Sequence, residues 1–412
     1  MKNQNTKSEN LTLHIGDNLK SLAQYKDNSI DAVIIDGPYG LNSKEPDIQK
    51  MLEQFKVGQN YILGGKGMAN KKWDSDLPNL HLCRELLRVL KPGGYLAGFA
   101  GSRTYDILVI TLRWAGFLIK DQMIWAYASG VPKQGKVEVE DDESTASGSL
   151  KPAFEPIVIA QKPITEKDIE ANMKKYSTGA FNVDAVRVVG HSDGKERYPA
   201  NIVTDGSKAI EAGFHGGKDY FNSCPYSYID CVLNPILYYS KAGEKDREFG
   251  LDKYETTEFR RSVIGKKILV GQKNLHETVK PIALMCHLVR LFTQPGGTVL
   301  DCFMGSGSTG ISTLLEGRKF VGMELDPKYF RIASERIDRT QELIEQFKVS
   351  DHKLLSHYAA LDSLKKDIKK AAALVLKEPK NTEYRADFER LIECQSVCEQ
   401  KLKKQLKENK AA

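Results

Sequence analysis

Apolar and polar positions follow two alternating periods along the first third of the chain. Leu11–Ile15 reads as a short strand, and the apolar run Ile30–Ile35 as a second strand ending at Asp36. Helical spacing over residues 80–90 stops at Lys91-Pro92-Gly93-Gly94, a breaker. Residues 95–99 read as a strand, Tyr105–Ala115 as a helix and 118–125 as another strand. This alternation predicts a mostly parallel sheet with helices on its faces. Residues 129–150 change character, with Gly, Ser and charge including 138–143, and predict a solvated loop. Strand character returns over 153–161. Residues 163–275 sustain no period and predict an inserted, loop-rich module. Alternation resumes with a helical face over Ile282–Phe292, strands at 298–300 and 320–324, and helices over 309–316 and from 329. Beyond about 345 a Lys/Glu/Leu-rich stretch, interrupted at Pro379, predicts two tail helices.

Composition narrows the class without choosing a function. At 412 residues and 41% apolar content the chain can bury a sizeable core. Its first residues are polar, unlike a signal peptide, and no apolar run approaches the ~20 residues that span a bilayer. A cytoplasmic protein is expected, with no membrane partner. Seven scattered cysteines make no disulfide framework, and Cys224 and Cys231 lie too far apart for a zinc knuckle, so no metal is expected. Cys394 and Cys398 read as small residues on one helical face. A net charge of +6 suits a polyanionic partner but does not select one.

Chemistry concentrates in two places. The first is Asp301-Cys302-Phe303-Met304-Gly305-Ser306-Gly307, a glycine-rich turn between a strand and a helix. Glycine lets backbone approach a ligand closely, and no GK[ST] follows to make a phosphate loop. Glu324, at the tip of the next strand, stands where a ribose diol is held in nucleoside-binding α/β sites. On these residues alone a nicotinamide dinucleotide remains an open alternative. The second place is Asp36-Gly37-Pro38-Tyr39, after the run Ile30–Ile35. An exocyclic amine on an aromatic ring is a poor nucleophile, because its lone pair is delocalised. A carboxylate and a backbone carbonyl accepting its two N–H groups favour the reactive tetrahedral nitrogen, and an aromatic ring can stack on the base.

Asp36-Gly37-Pro38-Tyr39 resembles the D-P-P-Y box of amino-directed DNA methyltransferases, and the glycine-rich turn resembles their cofactor box. The catalytic box comes first, as in the permuted β class of adenine-N6 and cytosine-N4 enzymes. Further stretches match in order: His14-Ile15-Gly16-Asp17, Lys71-Lys72-Trp73-Asp74, Gly130-Val131-Pro132-Lys133, Lys151-Pro152-Ala153-Phe154-Glu155-Pro156, Tyr198-Pro199-Ala200-Asn201 and His276-Glu277-Thr278-Val279-Lys280-Pro281. The resemblance covers about residues 11–340.

It implies a three-layer, Rossmann-like methyltransferase fold that binds S-adenosylmethionine and acts on double-stranded DNA after flipping a base. The implied division is a catalytic part at 11–162, a target-recognition insert at 163–275, a cofactor-binding part at 276–344 and a helical extension at 345–412. Carried over, Asp36 and the Gly37 carbonyl accept the amino hydrogens, Pro38 shapes the loop and Tyr39 stacks on the base. Asp17, Lys280, Asp301, Phe303, Gly305, Gly307 and Glu324 hold the cofactor, while Trp125 and Tyr127 are candidates to line the base pocket. Asp rather than Ser at position 36 favours adenine N6; cytosine N4, or an impaired DNA-binding protein of the same fold, is the alternative. Gly37, Cys302 and Glu277 stand where the family has proline. Gly37 loosens its loop, so restoring proline is expected to raise turnover. Arg187, Arg197, Lys208, His215 and Lys218 are candidates to touch DNA within the insert. A homodimer, and a partner nuclease in a restriction-modification pair, stay open.

Overall fold

The computed structural model describes residues 6–40, 45–65, 75–127, 137–139, 142–146, 150, 152–189, 196–204, 222–223, 247–251, 256–263, 266–276 and 278–347, with single positions 372, 389 and 392. Among these residues one ten-stranded sheet forms the frame. Its longer strands are β1 (Leu11–Ile15), β2 (Ile30–Ile35), β3 (Leu90–Phe99), β4 (Leu118–Ala126), β5 (Phe154–Gln161), β6 (Ile202–Thr204), β7 (Thr298–Asp301) and β8 (Lys319–Glu324). They lie in the order β1-β8-β7-β2-β3-β5-β4-β6, with Thr6–Lys7 outside β1 and Asn222–Ser223 outside β6. Strands β1, β8, β7, β2 and β3 are parallel, as are β4 and β6; β5 runs antiparallel between β3 and β4.

Helices cover both faces. One layer holds α1 (Asn18–Leu22), α2 (Ile48–Lys56), α3 (Leu80–Val89) and α4 (Tyr105–Ala115). Helix α5 (Ile169–Tyr176) docks near the start of β3, and α6 (Ile282–Phe292), α7 (Ser308–Leu315) and α8 (Pro327–Phe347) form the other layer. All six β2 residues are buried because the strand feeds two cores: Val33 and Ile35 pack toward α1–α4, Ala32 and Ile34 toward α6. The chain leaves β7 for β8 in one direction and β2 for β3 in the other. That reversal opens a crevice at the carboxyl ends of β7 and β2. Among the described residues, no helix is long and apolar enough to cross a membrane.

Several expectations are corrected. The helix over 80–90 ends at Val89 as the pattern implies, but Lys91-Pro92-Gly93-Gly94 does not break the chain. It is absorbed into β3 at an irregularity in the pairing with β2. Residues 137–139 and 142–146 pair as two short strands instead of a plain loop. The stretch 163–275 is less irregular than its period suggests: it supplies α5, strand β6 of the main sheet and an antiparallel hairpin, Thr257–Val263 with Lys266–Gln272. Helix α2 carries no expectation at all. The predicted tail helices lie outside the described residues apart from three single positions.

Helix α5 escapes a hydrophobic reading because a polar side chain docks it. Its fully buried residue is Asn172, whose Nδ2 donates to the carbonyls of Pro92 (2.8 Å) and Thr178 (2.7 Å), while Oδ1 accepts from the Thr165 amide. Gly93, at φ +79°, makes room: a Cβ there would lie 2.6 Å from Asn172 Nδ2 and 2.9 Å from the Gly179 backbone. Asn172→Ala should therefore lower the unfolding free energy by about 2–4 kcal/mol, since it strands buried polar groups. Chemical denaturation checks this; a loss under about 0.5 kcal/mol would show that solvent replaces the amide.

Candidate active site

Strand β2 delivers the loop 36–40 to the crevice. The Thr104 hydroxyl donates to the Tyr39 carbonyl at 2.7 Å and fixes the far end of that loop. Against Asp36 comes Lys280, from 244 residues away, just before α6. Its Nζ donates to Asp36 Oδ2 at 2.5 Å, lies 3.4 Å from Glu155 Oε2 and sits 4.8 Å from the Phe99 ring centroid. The Tyr39 hydroxyl lies 2.8 Å from Asp36 Oδ1 and 3.1 Å from Glu155 Oε2, so its one hydrogen serves either carboxylate. Tyr127 donates to the other Glu155 oxygen at 3.3 Å.

Glu155 joins this cluster because β5 is antiparallel: its amino-terminal end lies at the sheet edge where the parallel strands have their carboxyl ends. Two carboxylates therefore share one buried ammonium. Burial works against the Lys280 ammonium, but Asp36 and Glu155 outweigh it and hold its pKa above the ordinary lysine value. Burial likewise raises the Asp36 carboxyl against the pull of Lys280, and burial beside the two carboxylates keeps the Tyr39 hydroxyl protonated.

Across the crevice stands the glycine-rich turn. Asp301 is buried beneath it and shapes it, accepting from the Phe303 amide (2.9 Å) and the Thr309 hydroxyl (2.6 Å); burial pushes its carboxyl up to about 7. Gly305 has φ +54° and no room for a Cβ, which would lie 2.7 Å from His276 Nε2. Gly307, at φ +84°, starts α7 against Ala333 of α8. Glu324 accepts from the Gly305 amide through Oε2 and from the Asp326 amide through Oε1, both at 2.8 Å. Burial pushes its carboxyl up to about 6 against those amides. Beside it, Gly16 donates to the Glu324 carbonyl, and the exposed Asp17 caps α1.

The predicted residues thus fall into two sets that touch where Gly37 meets the half-buried Phe303 ring. Asp36 and Tyr39 form one; Asp17, Phe303, Gly305 and Glu324 form the other. Lys280, expected beside the cofactor, places its ammonium on Asp36. Trp125 and Tyr127 are both buried in the core under β4, and only the Tyr127 hydroxyl is placed within the carboxylate cluster. Sequence reasoning gave Glu155 no role of its own, although it lies in the family-like stretch Lys151-Pro152-Ala153-Phe154-Glu155-Pro156. Arg187 is engaged by Asp184 (2.7 Å) and stacks on Tyr198. Lys208, His215, Lys218, Glu277, Lys71-Lys72-Trp73-Asp74 and Gly130-Val131-Pro132-Lys133 lie outside the described residues.

The turn fits a nucleoside-bearing cofactor. Each Glu324 oxygen accepts one amide and keeps capacity for a hydroxyl donor, and a Cβ built on Gly16 would meet nothing within 4 Å.

Comparison with known proteins places the chain in context. The N6/N4 DNA methylase family profile matches residues 30–335. The type II methyltransferase M.BglI of Bacillus subtilis is 27% identical over 339 residues, covering 80% of this chain and 89% of that protein. The DNA adenine methyltransferase YhdJ of Escherichia coli is 24% identical, covering 80% and 84%. The type II methyltransferase M.HindIII of Haemophilus influenzae is 23% identical, covering 79% and 94%.

With Glu324 as the ribose acceptor, affinity for S-adenosylmethionine should fall as pH drops below about 6, because the proton must leave before the carboxylate can accept both hydroxyls. Calorimetric titration at pH 5 and pH 7.5 should show roughly tenfold weaker binding at the lower pH. Glu324→Gln should bind weakly at both; a Glu324→Gln variant that keeps the wild-type pH dependence would contradict the assignment.

Proposed function

This chain belongs to the N6/N4 DNA methylase family, a family of S-adenosylmethionine-dependent enzymes acting on exocyclic amino groups, and from that premise we propose that its acceptor is adenine N6 in double-stranded DNA. The observation that carries the reading is Asp36: an acid rather than a serine at the tip of β2, held against a protonated lysine. The name of the relative YhdJ, a DNA adenine methyltransferase, points the same way.

In this reading Asp36 and the Gly37 carbonyl accept the two amino hydrogens, which localises the nitrogen lone pair. Asp36 has capacity for this, since each of its oxygens is otherwise engaged by one donor, Lys280 or Tyr39. Tyr39 forms the stacking surface, with its ring oriented by the hydroxyl contacts to Asp36 and Glu155. Bound S-adenosylmethionine supplies an electrophilic methyl group. The acceptor nitrogen gains positive charge as it is methylated and then loses a proton to Asp36 or to solvent. Two carboxylates against one ammonium leave a surplus negative charge at that point, in a water-poor site where it acts strongly. Asp17, Phe303, Gly305 and Glu324 hold the cofactor, while Asp301 and Gly307 shape its loop. We assign target recognition to the segment within 163–275 that follows β6.

Incubation with unmethylated DNA and isotope-labelled S-adenosylmethionine, followed by nucleoside mass spectrometry, tests the target. N6-methyladenine is expected in wild type and is lost at least ~100-fold in Asp36→Ala. N4-methylcytosine as the product would overturn the adenine assignment.

A further inference from the structure

The loop 36–40 has one internal ring, that of Pro38, and Gly37 leaves the position before it without a second. The structure fills that place from another segment. A Cβ built on Gly37 would lie 3.1 Å from Pro78 Cγ and 3.1 Å from Phe303 Cε2, and both Gly37 and Pro78 are buried. Three residues on, Gly40 turns at φ +61°, where a Cβ would lie 3.3 Å from Leu77 Cγ and 3.4 Å from Leu63 Cδ2. Two neighbouring side chains, Leu77 and Pro78, thus press on the loop at both of its glycines.

The segment that presses is itself anchored on each side. Asp76 Oδ1 accepts from the amides of Leu63 (2.7 Å) and Gly64 (3.4 Å). Asn79 Oδ1 caps α3 through the Leu82 amide at 3.0 Å. A proline ring held between a tied turn and a capped helix is a rigid wall. Van der Waals contact with such a wall limits the loop much as an internal ring would.

We infer that Pro78, seconded by Leu77, is a positioning residue that braces the loop in place of a proline at 37; the inference rests on the reading that Asp36 and the Gly37 carbonyl hold the acceptor amine. Glycine at 37 and proline at 78 are two parts of one packing arrangement. The first carbon of a ring added at 37 would stand 3.1 Å from both Pro78 and Phe303, close enough that one of them must shift. The sign expected from sequence reverses: Gly37→Pro slows turnover in this chain, because the new ring displaces either the brace or the Phe303 side chain.

The test is a double-mutant cycle on methyl transfer to DNA, with kcat, KM for S-adenosylmethionine and Tm measured for every variant. Pro78→Ala should lower kcat about tenfold, with KM changed less than about twofold, because a loosened loop misplaces the amine. Gly37→Pro should also lose activity, and Gly37→Pro combined with Pro78→Ala should be faster than either single variant. Gly37→Ala adds the same first carbon with less disturbance, and its pairing with Pro78→Ala decides the matter if the proline variant fails to fold. Wild-type kcat in Pro78→Ala, or losses that simply multiply in both double variants, would overturn the brace. Asp36→Ala separates the two failures: retained activity there removes the acceptor-site reading, whereas lost activity there with an unaffected Pro78→Ala removes the brace alone.

Discussion

A lysine ammonium placed 2.5 Å from a carboxylate, 244 residues away in sequence and largely out of water, is the contact on which this site is organised. Burying either charge alone is costly, and breaking such a pair costs about 3–5 kcal/mol because it leaves the other charge uncompensated. The pair therefore constrains three segments at once. It ties together the segment before α6, the end of β2 and, through Glu155, the start of β5. Tyr39 and Tyr127 complete the cluster by supplying hydroxyl donors to carboxylates that one lysine cannot satisfy.

Sheet topology then turns this local balance into a bipartite site. Strands β2 and β7 are neighbours from which the chain departs in opposite directions, and the loops after them meet over the crevice. Asp36 and Glu324 belong to different halves, linked where Gly37 meets Phe303. The two loops meet through a packed ring, and the Asp36 charge also bears on Asp301 beneath the glycine-rich turn. The same economy of space explains why a glycine at 37 coexists with a fixed loop.

How much of this was legible in sequence depends on the distance over which each feature is determined. Tyr105–Ala115 and Ile282–Phe292 carry dense apolar periods, and their helices match residue for residue. Strand β2 is apolar at every position but Asp31, whose carboxylate is met by Lys91 and the Thr298 amide, as suits a strand buried on both faces. Asp36, Tyr39 and Glu324 are legible as candidates because strand ends carry chemistry in such sheets. Helix α5 was missed because Asn172 docks it through hydrogen bonds. The Gly93-Gly94 pair looked like a breaker because the close approach of Asn172 and Gly179 is invisible locally. The contacts of Glu155 and Lys280 and the place of Pro78 were beyond reach for a common reason: each acts through a pairing or packing between distant segments.

Lys280 pulls the Asp36 carboxyl down against the burial that raises it, and so favours the carboxylate that the acceptor site requires. The direct measurement is the single-turnover rate of methyl transfer against pH, in wild type and in Lys280→Met. An acid with a nearby cation removed should titrate about one unit or more higher. The acidic limb of the profile should move up in pH by at least that much in Lys280→Met, with the rate recovering as pH rises. An acidic limb at the same pH in both proteins would contradict it.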